Sequence, residues 1–173
     1  AFAALGRAMG HDVKIIMPDW LSKERYDIIE LFGATVEKVS PKEGGFLEAL
    51  NRAEYYASHH GYFYPDQFSN HSNVKAHETT TGPEILTQLI KLGLKPEMFV
   101  AGVGTGGTVM GVNNYLKHMG MHCLCYPLEP SNSPTLSTGG KKIGTHRIQG
   151  VSDEFIPAIT ELKKLNEVVS VDD

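Results

Sequence analysis

The segment FVAGVGTGGT, from Phe99 to Thr108, contains the clearest structural signal in the chain, because an apolar run leads directly into glycines and threonines. The apolar run predicts a buried strand, and the residues from Thr108 onward predict a helix. Glycines let the backbone approach an anion closely, and the N-terminus of a helix attracts negative charge. The hydroxyls of Thr105 and Thr108 add two further donors. The segment therefore predicts a strand followed by a phosphate-binding loop.

Three interpretations of this loop are open. Gly102, Gly104 and Gly107 satisfy the pattern G-x-G-x-x-G, and Glu129 ends the next predicted strand at roughly the 20-residue spacing of a ribose-binding acid in a dinucleotide site. The segment GTGGT also suits a single phosphate monoester, because threonine hydroxyls supply donors that a pyrophosphate turn does not need. A tight turn without a ligand is the third interpretation. The loop lacks the lysine of a Walker motif, which disfavours hydrolysis of nucleoside triphosphates.

The rest of the chain alternates between strand-like and helical patterns, which is typical of an α/β fold with a mainly parallel sheet. The segment YFYPDQFSNHSN suits neither element, and we interpret it as a crossover between two lobes. The residues from 130 to 150 predict a long loop. The predicted helices cover residues 2–9, 45–60, 83–92 and 108–118, and a further helix, capped by Asp19 or Ser22, ends at residue 32. The predicted strands cover residues 13–17, 35–39, 98–101 and 122–128.

Composition excludes several classes of protein. The chain has 173 residues, 41% of them hydrophobic, and a formal net charge of -4, so nucleic acid is not an expected partner. No apolar run reaches the roughly 18 residues that a membrane-spanning helix needs. Cys123 and Cys125 are too close for an unstrained disulfide on a strand. These features predict a protein of the cytoplasm or of an organelle matrix, with no membrane partner, and the absence of an initiator methionine suggests part of a longer protein.

Four blocks of sequence resemble, in order and spacing, the cysteine synthase family, also called O-acetylserine sulfhydrylases, to which cystathionine β-synthase is closely related. The blocks are GVGTGGTVMGV, QFSN followed by HETTTGPEI, PLEPSNSP, and HRIQG followed by FIP. The resemblance implies a fold-type II enzyme like the tryptophan synthase β subunit, with two lobes of mostly parallel sheet flanked by helices. Residues 1–66 would belong to the smaller, mobile lobe and residues 67–173 to the larger, cofactor-binding lobe.

The resemblance also implies chemistry and partners. Family members use pyridoxal 5′-phosphate to replace the leaving group of an O-activated serine by sulfide, forming L-cysteine, and they are normally homodimers acting on small amino-acid substrates. Gln67 matches a glutamine near the substrate carboxylate, and Gly150 matches a glycine that lines the cleft beside the cofactor. The residues that would hold the cofactor phosphate are Gly104, Thr105, Gly106, Gly107 and Thr108.

The chain also departs from the family pattern. The lysine that forms the family's Schiff base precedes the region where this sequence starts, so we expect no catalytic lysine here and no activity from these residues alone. Where many members have Gly-Ala-Gly, this chain has Ser152, Asp153 and Glu154, which suggests a different substrate or closure. The alternative functions are a cystathionine β-synthase-type activity, a dinucleotide-binding oxidoreductase domain and a non-catalytic remnant.

Two histidine-containing segments invite other interpretations. The segment HMGMHCLC, residues 118–125, resembles a soft-metal cluster, but on a strand Cys123 and Cys125 share one face while His122 lies on the other. We therefore interpret it as a strand with buried cysteines and expect no metal site. His77 is a possible acid or base, and the threonines that follow it are interpreted as caps of a helix in which Pro83 is the first residue.

Overall fold

A computed structural model describes residues 1–172, which fold as two compact units. The first unit comprises residues 1–64, and the second begins at Pro65. Among residues 1–172, no helix combines the length and the apolar character needed to cross a bilayer. Each unit is an α/β structure with parallel strands, as the alternating pattern predicts.

The first unit contains two parallel strands, with Lys14 aligned to Thr35 at the start of the register. Glycines with left-handed φ angles end two of its helices at Gly33 and Gly61, where a residue without Cβ adopts that backbone at no cost. The helices are α1 (Phe2–Ala8), α2 (Lys23–Leu31) and α3 (Gly45–His60), and the strands are β1 (Lys14–Pro18) and β2 (Thr35–Val39).

The second unit contains a parallel sheet in which β4 (Leu124–Pro130) lies between β3 (Met98–Gly102) and β5 (Val169–Val171). Both pairs of strands have the same direction, so their carboxyl ends meet at one edge of the sheet. The helices of this unit are α4 (His71–Thr79), α5 (Thr81–Lys91) and α6 (Gly107–His118).

Helix α6 is the centre of the second unit. Val109, Met110, Val112 and Leu116 are almost completely buried, and the first two pack with Val74 of α4 in one apolar cluster. Burial of such side chains contributes roughly 1.5–3 kcal/mol each relative to exposure. The N-terminus of α6 is therefore held firmly in the fold, directly after the carboxyl end of β3.

Four predictions about elements are wrong. Helix α4 begins at His71, inside the segment interpreted as a crossover, and α5 begins at Thr81, so Pro83 is the third helical residue and not the first. A proline is tolerated there because the first helical N–H groups have no intrahelical acceptor. Strand β3 is not buried: Met98 and Val100 are 66% and 50% exposed, because β4 covers one edge and α6 packs against one face. Strand β4 also starts two residues later than predicted.

Candidate phosphate site at the carboxyl end of the sheet

The predicted phosphate loop lies between the end of β3 and the start of α6, at the carboxyl edge of the parallel sheet. The N–H of Val103 donates to the carbonyl of Leu128 at 3.0 Å, which fixes the start of the loop to β4. Gly106 has a φ of 83°, a left-handed conformation that strains any residue with a Cβ. This edge is where open α/β sheets bind their ligands.

The N-terminus of α6 has the properties of an anion site. Its N-cap residue, Gly106, makes no side-chain cap hydrogen bond, and its first turn contains no acidic residue. The first N–H groups of a helix have no intrahelical acceptor, and the helix dipole places partial positive charge there. Because the helix is 12 residues long and no carboxylate competes, its first turn can accept a phosphate group.

The two threonines of the loop contact side chains of α4. The Nδ2 of Asn73 donates to Thr105 Oγ1 at 2.9 Å, and the Nε2 of His77 lies 3.3 Å from Thr108 Oγ1. His77 Nδ1 lies 2.9 Å from Thr81 Oγ1, at the start of α5. His77 therefore links α5 to the predicted phosphate loop. The prediction that the threonines after His77 cap α5 is wrong, because the N-cap residue Thr80 makes no side-chain cap hydrogen bond.

The segment from Gly150 to Thr160 packs against the loop from another side. The N–H of Ser152 donates to the carbonyl of Val103 at 2.8 Å, and the hydroxyl of Thr160 donates to the carbonyl of Thr105 at 3.0 Å. A Cβ on Gly104 would overlap the carbonyl oxygen of Gly150, and a Cβ on Gly106 would overlap the hydroxyl of Thr160. The glycines are thus required by close packing of the protein around the loop.

Ser152 has an unusual backbone for a residue with a side chain, with φ at 54°. Its hydroxyl is buried and donates to the carbonyl of Ser133 at 2.7 Å, which fixes this conformation. Asp153 follows directly, and its partly buried carboxyl has a pKa raised to about 6, mainly by desolvation. His146 opposes this rise in the pKa and Glu154 adds to it. A carboxyl group with such a pKa can accept a proton near neutral pH.

Gln67 lies just before α4, and its side chain is exposed. Its carbonyl accepts a hydrogen bond from Asn73 Nδ2 at 3.0 Å, and the same amide reaches Thr105. Asn70, the last residue of QFSN, caps α4 by accepting from the N–H of Ser72 at 2.9 Å. The structure therefore brings Gln67 and Gly150 to the surroundings of the glycine loop.

Glu129 does not occupy the position of a ribose-binding acid. It is completely buried at the end of β4 and accepts hydrogen bonds from the backbone N–H groups of Leu136 and Ser137 and from the hydroxyls of Ser137 and Ser170. Both of its carboxylate oxygens are therefore used inside the fold. This correction disfavours the dinucleotide interpretation of the loop.

The cysteines of the 118–125 segment occupy the buried side of the chain at the start of β4. Cys123 and Cys125 are buried, whereas His122 and Leu124 are exposed, as the strand pattern predicts. Burial raises the pKa of Cys125 to about 12. The histidine and the cysteines thus point to opposite sides of the strand.

Sequence reasoning missed Asn73 and Thr160 as neighbours of the loop and did not recognise the hydroxyl of Ser152 as an anchor. Asn73 and Thr160 lie 32 and 55 residues from Thr105 in the chain, so no local pattern connects them. One usable signal was present: Gly107 and Gly111 are spaced by four residues and allow close approach of another helix.

Comparison with known proteins places these features in a family. The model of the family described as pyridoxal-phosphate dependent enzyme matches residues 1–173. The chain is 36% identical over 164 residues to a cysteine synthase of Staphylococcus aureus, covering 95% of this chain and 51% of that protein. It is 40% identical over 157 residues to cysteine synthase B of Campylobacter jejuni, and the match covers 90% of this chain and 50% of that protein.

Solved structures agree with the sequence comparison. A hydrogen sulfide-producing enzyme from Fusobacterium nucleatum is 50% identical, with a TM-score of 0.94 over 99% of this chain and 52% of that one. The chain thus spans about half the length of the relatives it matches. The high TM-score shows that the two units have the fold of the corresponding half of that enzyme.

Proposed function

Because this chain belongs to the family of pyridoxal-phosphate-dependent enzymes, we propose that residues 104–108 hold the phosphate of that cofactor. The observation that carries the proposal is the N-terminus of α6, where the N-cap residue Gly106 makes no side-chain cap hydrogen bond and the first turn contains no acidic residue. Backbone N–H groups and the hydroxyls of Thr105 and Thr108 supply a set of donors, which suits a phosphate monoester. When bound, the cofactor supplies an electron sink for the α-carbon of an amino acid.

The reaction that we propose for the whole protein is replacement of the leaving group of an O-activated L-serine by sulfide, forming L-cysteine. The Cβ–O bond breaks, the leaving group departs with its electron pair, and a Cβ–S bond forms. The cysteine synthase names of the bacterial relatives support this assignment. In this proposal Gln67 lies near the substrate carboxylate and Gly150 lines the cleft beside the cofactor.

A second candidate is release of sulfide from L-cysteine, and Asp153 is the observation that favours it. The Fusobacterium enzyme is named for hydrogen sulfide production, and its identity to this chain is higher than that of the two cysteine synthases. In this second reaction the Cβ–S bond of cysteine breaks, sulfide departs with the electron pair, and a Cβ–O bond forms with water. The carboxyl of Asp153, with its pKa at about 6, accepts the proton that water loses.

The test measures both reactions with the complete gene product that contains this chain, loaded with pyridoxal phosphate. Cysteine formation from O-acetylserine and sulfide, with saturable kinetics, is the expected result. Absence of both activities together with absence of the visible absorbance band of bound cofactor would overturn the proposal. For the second candidate, Asp153→Asn should slow sulfide release more than cysteine formation, whereas equal loss of both activities would reject the role of Asp153 as a base.

We also infer that the 173 residues alone do not catalyse β-replacement, because none of their lysines corresponds to the lysine that forms the family's Schiff base. The purified chain, mixed with pyridoxal phosphate, O-acetylserine and sulfide, should yield no cysteine above the cofactor-only rate. Turnover that follows the concentration of the chain would reject this inference. Borohydride trapping and peptide mapping would then identify the lysine responsible.

The assembly and location of the whole protein are further proposals. We expect a homodimer in the cytoplasm or an organelle matrix, acting on small amino-acid substrates, with residues 1–66 in a mobile lobe and residues 67–173 in the cofactor-binding lobe. Light scattering on the complete gene product tests the dimer. Hydrogen exchange with and without substrate tests the mobility, because closure over substrate protects backbone amides from solvent.

A further inference from the structure

We propose that Asn73 and His77 are positioning residues that turn the hydroxyls of Thr105 and Thr108 into obligatory proton donors toward the cofactor phosphate. This inference rests on the proposed function of the loop. It assigns to α4, which lies outside the glycine loop, the role of setting the direction of both threonine protons. The contact between Asn73 and Thr105 and the contact between His77 and Thr108 each support this proposal.

The hydroxyl of Thr105 has its acceptor capacity filled by the protein. Its oxygen accepts from Asn73 Nδ2 at 2.9 Å and from the N–H of Gly107 at 3.3 Å. A hydroxyl has two acceptor lone pairs and one proton. With both lone pairs engaged, the proton is what remains to bind a ligand, so Thr105 can only donate to a group placed at the N-terminus of α6.

The orientation of the Asn73 amide follows from its second contact. Its Nδ2 lies 3.0 Å from the backbone carbonyl oxygen of Gln67, which can only accept a hydrogen bond. The NH₂ group must therefore face Gln67, and its other proton is directed to Thr105. Asn73 is partly buried, and its one amide links the residue predicted near the substrate carboxylate to the phosphate loop.

His77 has the corresponding relation to Thr108. Its ring nitrogens lie between two hydroxyls, with Thr81 Oγ1 at 2.9 Å from Nδ1 and Thr108 Oγ1 at 3.3 Å from Nε2. In the tautomer with the proton on Nε2, the ring donates to Thr108 and accepts from Thr81. Thr108 then keeps its own proton for the phosphate. An anion at the loop favours this tautomer, because the opposite one would use the proton of Thr108 on the ring.

The backbone of the two helices places these side chains. Asn73 and His77 are four residues apart on α4 and so lie on the same face of the helix. That face meets α6 at two glycines: a Cβ on Gly107 would overlap the side chain of Asn73, and a Cβ on Gly111 would lie 2.5 Å from the Cβ of His77. The glycines thus allow the helices to approach until both threonines are within reach.

Two hydroxyls that can only donate favour a fully deprotonated phosphate, which offers acceptors alone. A protonated phosphate oxygen would need an acceptor that neither threonine can supply. The inference therefore predicts that the contribution of α4 appears in binding of the phosphate group and not in binding of the pyridoxal ring. This difference separates a positioning role from a general role in stability.

The experiment compares affinity for pyridoxal phosphate with affinity for pyridoxal, which lacks the phosphate, in the complete gene product. His77→Leu and Asn73→Leu should each weaken binding of pyridoxal phosphate by roughly 5- to 10-fold, the scale of one hydrogen bond, with pyridoxal affinity nearly unchanged. His77→Gln, whose amide can replace Nε2–H, should restore much of the loss. The ³¹P resonance of the bound cofactor should shift in the leucine variants and return toward the original position in His77→Gln.

Matched controls make the result decisive. His71→Leu, at the exposed start of the same helix, should change neither affinity nor the ³¹P resonance. In a Thr108→Val background, His77→Leu should have almost no further effect, because the proposed path through Thr108 is already lost. Additive losses in this double-mutant cycle, or an unchanged ³¹P resonance in folded variants, would overturn the inference.

Two further results bear on the inference: failure of a variant to fold, and absence of a preference for pyridoxal phosphate in the unsubstituted protein. If His77→Leu does not fold, Asn73→Leu provides the test through Thr105, and an unchanged ratio of affinities in that variant would equally overturn the inference. If the unsubstituted protein binds pyridoxal phosphate no better than pyridoxal, the proposed function of the loop itself fails. Failure of the loop assignment and failure of the α4 assignment are therefore distinguishable.

Discussion

The carboxylate of Glu129 accepts a hydrogen bond of 2.7 Å from the backbone N–H of Leu136, and both groups are buried. The same carboxylate accepts from Ser137 and Ser170, so it binds the start of the long loop to the ends of β4 and β5. The carbonyl of Ser133, in the same long loop, accepts a hydrogen bond from the hydroxyl of Ser152. Glu129 therefore indirectly supports the segment around Ser152, which packs on the glycine loop.

We predict that Glu129→Gln is tolerated far better than Glu129→Ala. Glutamine keeps an oxygen for the two N–H groups, and its amide can donate to the serine hydroxyls, which are able to accept. Alanine leaves buried N–H groups without an acceptor, at a cost of about 1–3 kcal/mol for each. Urea denaturation of the complete gene product measures the difference, and equal destabilisation by the two substitutions would show that the charge of Glu129 matters more than its hydrogen bonds.

The pKa of Asp153 gives a prediction about pH. Because folding raises this pKa from an ordinary value of 3.8 to about 6, the folded state retains a proton between about pH 4 and pH 6 that the unfolded chain releases. The free energy of unfolding therefore falls as the pH rises through this window. Asp153→Asn should remove that fall and stabilise the protein above pH 6, by at most about 3 kcal/mol.

Chemical denaturation at several pH values tests this prediction about Asp153. Glu97→Gln is the control, because it removes an exposed carboxyl of the same unit. A stability curve of Asp153→Asn parallel to that of the unsubstituted protein would contradict the prediction.

Much of the fold follows from local sequence signals. Strand β2 and helix α3 have the predicted bounds, because glycines with left-handed backbones separate them from their neighbours. Helix α4 was missed because its sequence, HSNVKAHET, has almost no apolar periodicity. Helix α4 places Asn73 and His77 against Gly107 and Gly111 of α6. Because α6 lies far from α4 in the chain, local sequence does not reveal the packing that stabilises α4.

The candidate site could be predicted only in part, for the same reason. The glycine loop and its position after a strand are local features, and the structure has both at the carboxyl edge of the sheet. The hydrogen bonds of Asn73, His77 and Thr160 to the loop join residues 31 to 55 positions apart. Such contacts depend on how the helices pack, and no periodic pattern encodes them.

Buried cysteines should resist modification in the native protein. Burial raises the pKa of Cys125 to about 12 and also raises the pKa of Cys123, so both thiols form the reactive thiolate less readily than an exposed cysteine does. We expect iodoacetamide to leave both unmodified in the folded protein and to modify both in urea. Mass spectrometry of the peptide that contains them gives the result, and rapid native labelling of Cys125 would contradict the described burial.

Substitution of Gly106 tests the loop most directly. At Gly106, alanine would be strained by the φ of 83° and would also overlap the hydroxyl of Thr160, which holds the carbonyl of Thr105. At Gly10, which has a φ of 82° and no atoms within 4 Å of the added Cβ, alanine meets only the backbone strain. We expect Gly10→Ala to cost about 1–2 kcal/mol of stability, and Gly106→Ala to cost about 1–3 kcal/mol more.

The two alanine variants should differ even more in cofactor binding. In Gly106→Ala the N–H groups at the start of α6 are displaced from the positions that a phosphate requires, so affinity for pyridoxal phosphate should fall while affinity for pyridoxal changes little. Gly10→Ala should change neither affinity. Fluorescence titration of both variants with both ligands provides the measurement. A folded Gly106→Ala protein with unchanged affinity for pyridoxal phosphate would show that the phosphate binds elsewhere, because no relaxation of Thr160 removes the strain of the left-handed backbone at residue 106.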